Sequence, residues 1–140
     1  MFDLAQFDTR TLSEKGVEMP VLNPKTGSPF LDDKFKPVTI TLLGPNGEVS
    51  RVKQRELALR RADMERRSIQ LDEDYFQRER HEFLTAVTIG WSFDSMGGAP
   101  FGFSAENAAR LWADERWPWL QVQAWNFAQQ AGNFLPLSPG

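Results

Sequence analysis

Few residues of this chain could carry out covalent or acid-base chemistry, and they are scattered. There is no Cys and one His, His81, which has Glu79 and Glu82 nearby. A lone imidazole with no thiolate beside it builds neither a multi-histidine metal site nor a His-centred nucleophile network, and without Cys there is no disulfide framework. His81 therefore reads as a surface or half-buried side chain. Carboxylates are dense only at Asp32-Asp33 and at Asp72-Glu73-Asp74. Acid-base catalysis needs such groups positioned across a reacting bond, whereas the first pair falls in a turn and the second run fills the first turn of a helix, where the dipole favours anions. The stretch Gly97-Gly98-Ala99-Pro100-Phe101-Gly102 lacks the Lys-Ser/Thr of a phosphate loop and follows a helix rather than a strand, so it reads as a plain loop. No catalytic residue, metal ligand or cofactor is assigned, and an enzyme is the class with least support.

Binding chemistry is better represented, in two places. Residues 51–67 hold Arg51, Lys53, Arg55, Arg60, Arg61, Arg66 and Arg67 against Glu56, Asp63 and Glu65, so 7 − 3 = +4 in a chain whose net charge is −3. Glu56/Arg60 and Asp63/Arg67 have the i,i+4 spacing that pairs charges along one helix. With no RNA motif and no aromatic stacking platform beside them, these cations read as a solvated or protein-docking face, with Arg60 and Arg67 as docking residues, and nucleic acid is disfavoured as a partner. The second place is the C-terminal end. The last charged residue is Arg116, and all five Trp lie between Trp91 and Trp125. One stripe of Leu120, Ala124, Phe127 and Ala131 runs beside Val122 and Trp125, and the remaining positions are Gln121, Gln123, Asn126, Gln129 and Gln130. Surface helices usually carry charge on their outer face. Amides with extra aromatics suit a face that is periodically desolvated, since burying an amide costs less than burying an ion. Two readings stand at this point: the Trp residues are core, or they are contact anchors. The candidate anchors are Trp112, Trp117, Trp119, Trp125, Phe127 and Phe134.

The elements that must position these residues follow from local pattern. Residues 1–16 have no clean period and read as a flexible arm that orders on a partner. Residues 17–47 read as a β-hairpin region: Val17, Met19 and Val21 alternate, Asn23-Pro24-Lys25-Thr26-Gly27 turns, Val38-Thr39-Ile40-Thr41-Leu42 alternates again, and Gly44-Pro45-Asn46-Gly47 ends the strand. Residues 48–132 read as helical. A first helix runs from Glu48 to about Ser68 on a thin stripe of Val49, Val52, Leu59, Ala62 and Ile69. A second, capped by Asp72, runs through Phe76, Phe83, Leu84 and Val87 towards Gly90, polar first and apolar last. After a loop at 92–103, Ser104 caps a third helix, with Phe103 and Ala108 as a hydrophobic staple. Pro118 opens a fourth, which runs to Ala131 with Gly132 as its C-terminal cap. Residues 133–140, with Pro136 and Pro139, form a short extended tail. The expectation is one α+β domain over 1–140: a small N-terminal antiparallel sheet followed by about four helices packed on it.

At 41% hydrophobic and 25% charged the chain lies within the range of folded domains. No apolar run reaches the roughly 20 residues of a membrane-spanning helix, and Met1-Phe2-Asp3-Leu4 lacks a secretory signal's basic and apolar regions, so a cytoplasmic location is expected.

The C-terminal half, with Thr88-Ile89-Gly90-Trp91, Phe103 to Asp114, Arg116-Trp117-Pro118-Trp119-Leu120 and Asn133-Phe134-Leu135, resembles the tail assembly chaperones of long-tailed bacteriophages. Asn23-Pro24-Lys25-Thr26-Gly27-Ser28-Pro29 and Lys36-Pro37-Val38 leading into Leu42-Leu43-Gly44 are similar to that family's opening hairpin, so the resemblance spans about residues 17–135. Trp112 stands where the family pattern has Tyr, and Ala128-Gln129-Gln130 replaces a charged segment. The resemblance implies a non-enzymatic protein of the host-cell cytoplasm. It would bind the aggregation-prone tape measure protein, form a homo-oligomer along it, help recruit major tail tube protein subunits, and be lost from the finished virion. A structural tail or connector subunit retained in the particle, or a nucleic-acid-associated phage regulator using 51–67, are the rival expectations.

Overall fold

The computed structural model describes residues 1–136; the last four positions, including Pro139 of the expected tail, lie outside the described residues. Ten regular elements follow in chain order: α1 (Arg10–Lys15), β1 (Val17–Pro20), β2 (Thr39–Leu42), α2 (Glu48–Arg66), α3 (Glu73–Val87), β3 (Thr88–Trp91), β4 (Ser95–Met96), β5 (Ala99–Pro100), α4 (Ala105–Ala113) and α5 (Pro118–Gln129). The class is α+β, with a small antiparallel sheet near the N-terminus and the helices packed on it.

Alternation places β2 at the centre of that sheet: Ile40 and Leu42 are fully buried while Thr39 and Thr41, which alternate with them, point the other way. β1 pairs with it antiparallel, Met19 opposite Ile40 and Val17 opposite Leu42. Between β1 and β2 the chain makes an excursion held by isolated bridges from Leu22 to Pro29 and from Leu31 to Pro37. The third strand departs from the expected helix through to Gly90. α3 ends at Val87 and the next four residues form a strand on the other side of β2, Thr88, Gly90 and Trp91 pairing with Leu42, Thr41 and Ile40 while the register shift between Thr41 and Leu42 leaves Ile89 without a partner. Thr88 and Ile89 are β-branched, and pairing with β2 outweighs one further helical turn.

The first sixteen residues also depart from expectation. Only the 3₁₀ turn Leu4–Phe7 and its flanks lie free; α1 is docked, with Ser13 fully buried. The turn 44–47 ahead of α2 presents N–H groups that need acceptors, and α1 supplies them. Gly44 N–H donates to the Ser13 carbonyl at 3.0 Å and Glu48 N–H to Glu14 Oε1 at 2.9 Å, while Thr9 Oγ1 lies 2.7 Å from Asn46 Oδ1.

α2 turns over the face its apolar stripe suggested. Val49, Val52, Leu59 and Ile69 are all exposed, and the buried residues are Ser50 and Leu57. The reason is the partner, since α3 offers acids to α2. Glu82 accepts from Lys53 Nζ at 2.8 Å and from Arg60 Nη1 at 2.7 Å, and buried Glu79 accepts from Arg61 Nε at 2.6 Å. Hydrogen bonds from Arg60 first, and from Lys53, bring the Glu82 carboxyl from its ordinary value near 4.5 to about 2. A carboxyl lowered in the folded state adds stability above its unfolded value that is lost as it protonates. The melting temperature is therefore expected to fall between pH 4.5 and 2, and Glu82→Gln should flatten that fall; equal slopes in a thermal scan series would remove this seam from the account.

The remaining helices follow their caps. Ser104 Oγ accepts from Asn107 N–H at 3.0 Å, and Pro118 occupies the first turn of α5. The expected staple is not used, because Phe103 is exposed and sets its edge on Trp91 at 5.2 Å instead. α5 stops at Gln129, and Gly132 is not its cap: Gln130 turns extended and a 3₁₀ turn, Ala131–Phe134, tucks Phe134 fully inside. The core is one cluster, joining Met19, Val21, Ile40 and Leu42 of the sheet region to Phe83, Leu84 and Val87, Leu111 and Trp112, and Leu120, Ala124 and Ala128.

Candidate functional site

α5 makes up most of the described part of the uncharged, aromatic end of the chain. Its inward face is Leu120, Ala124 and Ala128. Its outward crest carries Val122 and Asn126, and Val122 is 58% exposed. On one flank a groove of about 420 Å³ opens towards α3, with Gln77, Arg80, Val122 and Trp125 among its walls. On the other a groove of about 310 Å³ opens towards the end of β1, walled by Met19, Leu22, Gln123 and Phe127. Asn126 borders both grooves. Trp125 also borders a third depression, of about 250 Å³, facing α2.

Amides do the positioning here. Gln123 treats the chain after β1 as a strand partner: its Oε1 accepts from Leu22 N–H at 2.9 Å and its Nε2 donates to the Leu22 carbonyl at 2.8 Å. Across the first groove, Gln77 Nε2 donates to Gln121 Oε1 at 2.8 Å and lies 3.3 Å from the His81 Nε2. Burial, with Arg80 nearby, lowers the pKa of His81, so it stays neutral at pH 7 and adds no charge. Arg80 is the one cation among the residues lining these two grooves, and it is drawn to Glu73 at 2.8 Å and to Gln77.

The eight candidate residues separate into distinct environments. Trp112 is 1% exposed, with its indole N–H donating to Thr88 Oγ1 at 3.1 Å, and Phe134 is fully buried with its ring edge-on to Phe127 at 5.6 Å. Both belong to the interior and touch no partner while the fold is closed. Trp117 is half-buried, donating to the Leu111 carbonyl at 3.0 Å beneath the Arg116 guanidinium. Trp119 is half-buried against Phe30 at 6.0 Å. Trp125 sits edge-on to Phe83 at 5.3 Å, and it and Phe127 are the two that line the α5 grooves. Arg60 is held by Glu82 and Glu56 on the α2–α3 seam, and Arg67 at the end of α2 lies 3.6 Å from Asp63. Neither arginine lines the α5 grooves.

An aromatic cluster outside these eight was not anticipated. Phe93 and Phe101 both stack on Trp91, at 4.8 and 5.4 Å, and the Trp91 indole donates to the Phe101 carbonyl at 3.1 Å. The expected loop 92–103 thus contains the β4–β5 hairpin, which turns at Gly97 and Gly98 with φ of 61° and 80°, conformations open to glycine. Three Phe within that glycine-rich stretch were the available signal. Among the described residues no three His, Asp or Glu side chains gather as a metal site requires, and no helix is long and apolar enough to cross a membrane. No protein-family model, curated protein or solved structure matches this chain.

Proposed function

We propose that this chain is a non-enzymatic assembly chaperone of phage tails, acting in the host cytoplasm, whose α5 crest and flanking grooves receive a segment of the tape measure protein while major tail tube subunits are recruited. One observation carries this reading: α5 has no charged residue, yet it exposes Val122 and Asn126 between two grooves walled by Trp125 and Phe127. A face of amides and aromatics is desolvated at lower cost than a charged one, and half-buried Trp and Phe give anchors of large area. The order of motifs from Thr88 to Leu135 supports the family assignment. The nucleic-acid reading is weakened because Lys53, Arg60, Arg61, Arg66 and Arg67 are each engaged by an acid.

The test uses crest residues that the fold does not need. Co-expression of the tape measure protein with the wild-type chain is expected to raise its soluble fraction, and Val122→Arg with Asn126→Arg to abolish most of that gain. Equal client solubility with wild type, with the variant and with neither would overturn the proposal. Mass spectrometry of purified virions separates a chaperone, absent from the particle, from a retained connector.

A further inference from the structure

We propose that Phe35, at the tip of the finger between β1 and β2, is a contact residue that enters an apolar, ring-sized pocket of a protein partner. The contact is separate from the α5 face, since neither Phe35 nor its neighbour Leu31 lines either α5 groove.

The finger is tied at both ends. Val38 N–H donates to the Phe30 carbonyl at 2.8 Å and Asp32 N–H to the Lys36 carbonyl at 2.8 Å, so its two arms pair across residues 30–38. Phe35 N–H donates to the Asp32 carbonyl at 2.9 Å and closes the turn. The Asp32 carboxylate fixes the tip further, Oδ1 accepting from Lys34 N–H at 2.8 Å and from Lys36 N–H at 3.0 Å. At the base, the Phe30 ring lies 6.0 Å from that of Trp119, and Val38 packs on the core cluster. A tip held in this way loses little freedom on binding.

What stands at the tip is unfavourable on two counts. Phe35 has φ 61°, in the left-handed region where a three-residue hairpin loop ordinarily places glycine. A Cβ in that region crowds the following carbonyl, and a bulky side chain rarely occupies it. The neighbouring turn of the same excursion has glycine at its left-handed position, Gly27 at φ 77°, and among the described residues Phe35 is the one apolar side chain with positive φ. Packing does not offset the strain. Phe35 is 82% exposed, and among the described residues no ring stacks on it. Glycine would relax the backbone and remove an exposed ring, so neither the turn nor the core calls for phenylalanine, and the residue is accounted for by what it meets outside the chain.

Charge and area select the class of partner. Asp32 and Asp33 balance Lys34 and Lys36, and a neutral tip gains little from a polyanion such as nucleic acid or an acidic lipid surface. One ring with Leu31, 55% exposed, is too little apolar area to hold a bilayer. A single projecting aromatic on a rigid support has the form of a hot-spot anchor, whose counterpart is a desolvated pocket in a protein.

The test reads the strain and the contact separately. Phe35→Gly should unfold at a higher urea concentration than the wild-type chain, because glycine accepts the backbone conformation. Benzoylphenylalanine placed at position 35 of the full chain, irradiated in the cells that naturally make it, should link one protein at one site, within an apolar peptide. Once purified, that protein should bind the wild-type chain, lose affinity about tenfold or more with Phe35→Gly and with Phe35→Asn, and keep most of it with Phe35→Tyr. Val122→Arg with Asn126→Arg should leave this affinity unchanged, so the finger and the α5 proposal stand or fall independently; an equal loss would overturn the separate contact. A lower urea midpoint for Phe35→Gly would make the ring structural and overturn the inference. So would links to no protein, to many, or only to a second copy of the chain, affinity indifferent to Phe35→Gly, or ring-dependent binding to vesicles of phosphatidylglycerol and phosphatidylethanolamine.

Discussion

Trp112→Ala should cost the fold about 3–5 kcal/mol, the range for deleting a buried aromatic side chain. The indole is 1% exposed, belongs to the core cluster between the sheet and the helices, and donates to Thr88 Oγ1 at 3.1 Å. Thr88 in turn donates to the Leu84 carbonyl at 2.6 Å. One side chain thus fastens α4 to the point where α3 becomes β3. Its removal leaves a cavity and takes away the hydroxyl's donor partner, two penalties at one place. Against the 5–15 kcal/mol typical of a domain, such a loss brings the chain near unfolding. Urea denaturation should show a lower midpoint with an unchanged slope. If Trp112 acted instead as an exposed anchor, stability would hold and only partner binding would fall.

Gly44→Ala is the second large effect. A Cβ at this position would lie 2.6 Å from Phe134 Cγ and against the Ser13 hydroxyl, distances real side chains do not tolerate. Either the Phe134 ring leaves its pocket or α1 lifts from the 44–47 turn. Overpacking of this kind costs about 1–3 kcal/mol, and the strain should be local. Amide exchange of Ser13 to Gly16 is expected to accelerate well before that of β2, because α1 is held by a few bonds to the turn that Gly44 opens. Uniform destabilisation, with α1 amides no faster than the sheet, would mean that α1 and the 3₁₀ turn at Ala131–Phe134 are not a separable unit.

What the sequence conveyed and what it did not divides along physical lines. Backbone chemistry confined to a few residues was legible: Asp72 and Ser104 cap where their side chains predict, Pro118 opens α5, and β2 shows its alternation. Features decided by a distant partner were not. The inner face of α2 is polar because Glu79 and Glu82 of α3 face it, so the apolar residues that marked a stripe point outwards. β3 is four residues directly after a helix, and only the unpaired side of β2 reveals it. α1 depends on a glycine turn thirty residues away in the chain.

The proposed docking face was half legible. Its composition, uncharged and aromatic, is a property of residues 117–134 and could be read directly. Which aromatics lie inside could not be read from type alone, although Ala108, Leu111 and Trp112 share the i, i+3, i+4 spacing of a core stripe and so contained the clue for Trp112. Phe134 had no such signal, since its burial comes from the turn that replaces the expected extended tail. Trp125 and Phe127 lie between the two readings, each with one edge against a core ring and one towards a groove.

The central claim is that α5 is the surface a client covers. Hydrogen exchange of the chain, alone and in complex with a tape measure segment, addresses it directly. Added protection is expected in Pro118–Gln129 and in the groove walls at Gln77 and Leu22, with Thr39–Leu42 unchanged; a stable complex that leaves α5 exchange as it was in the free chain would contradict the account.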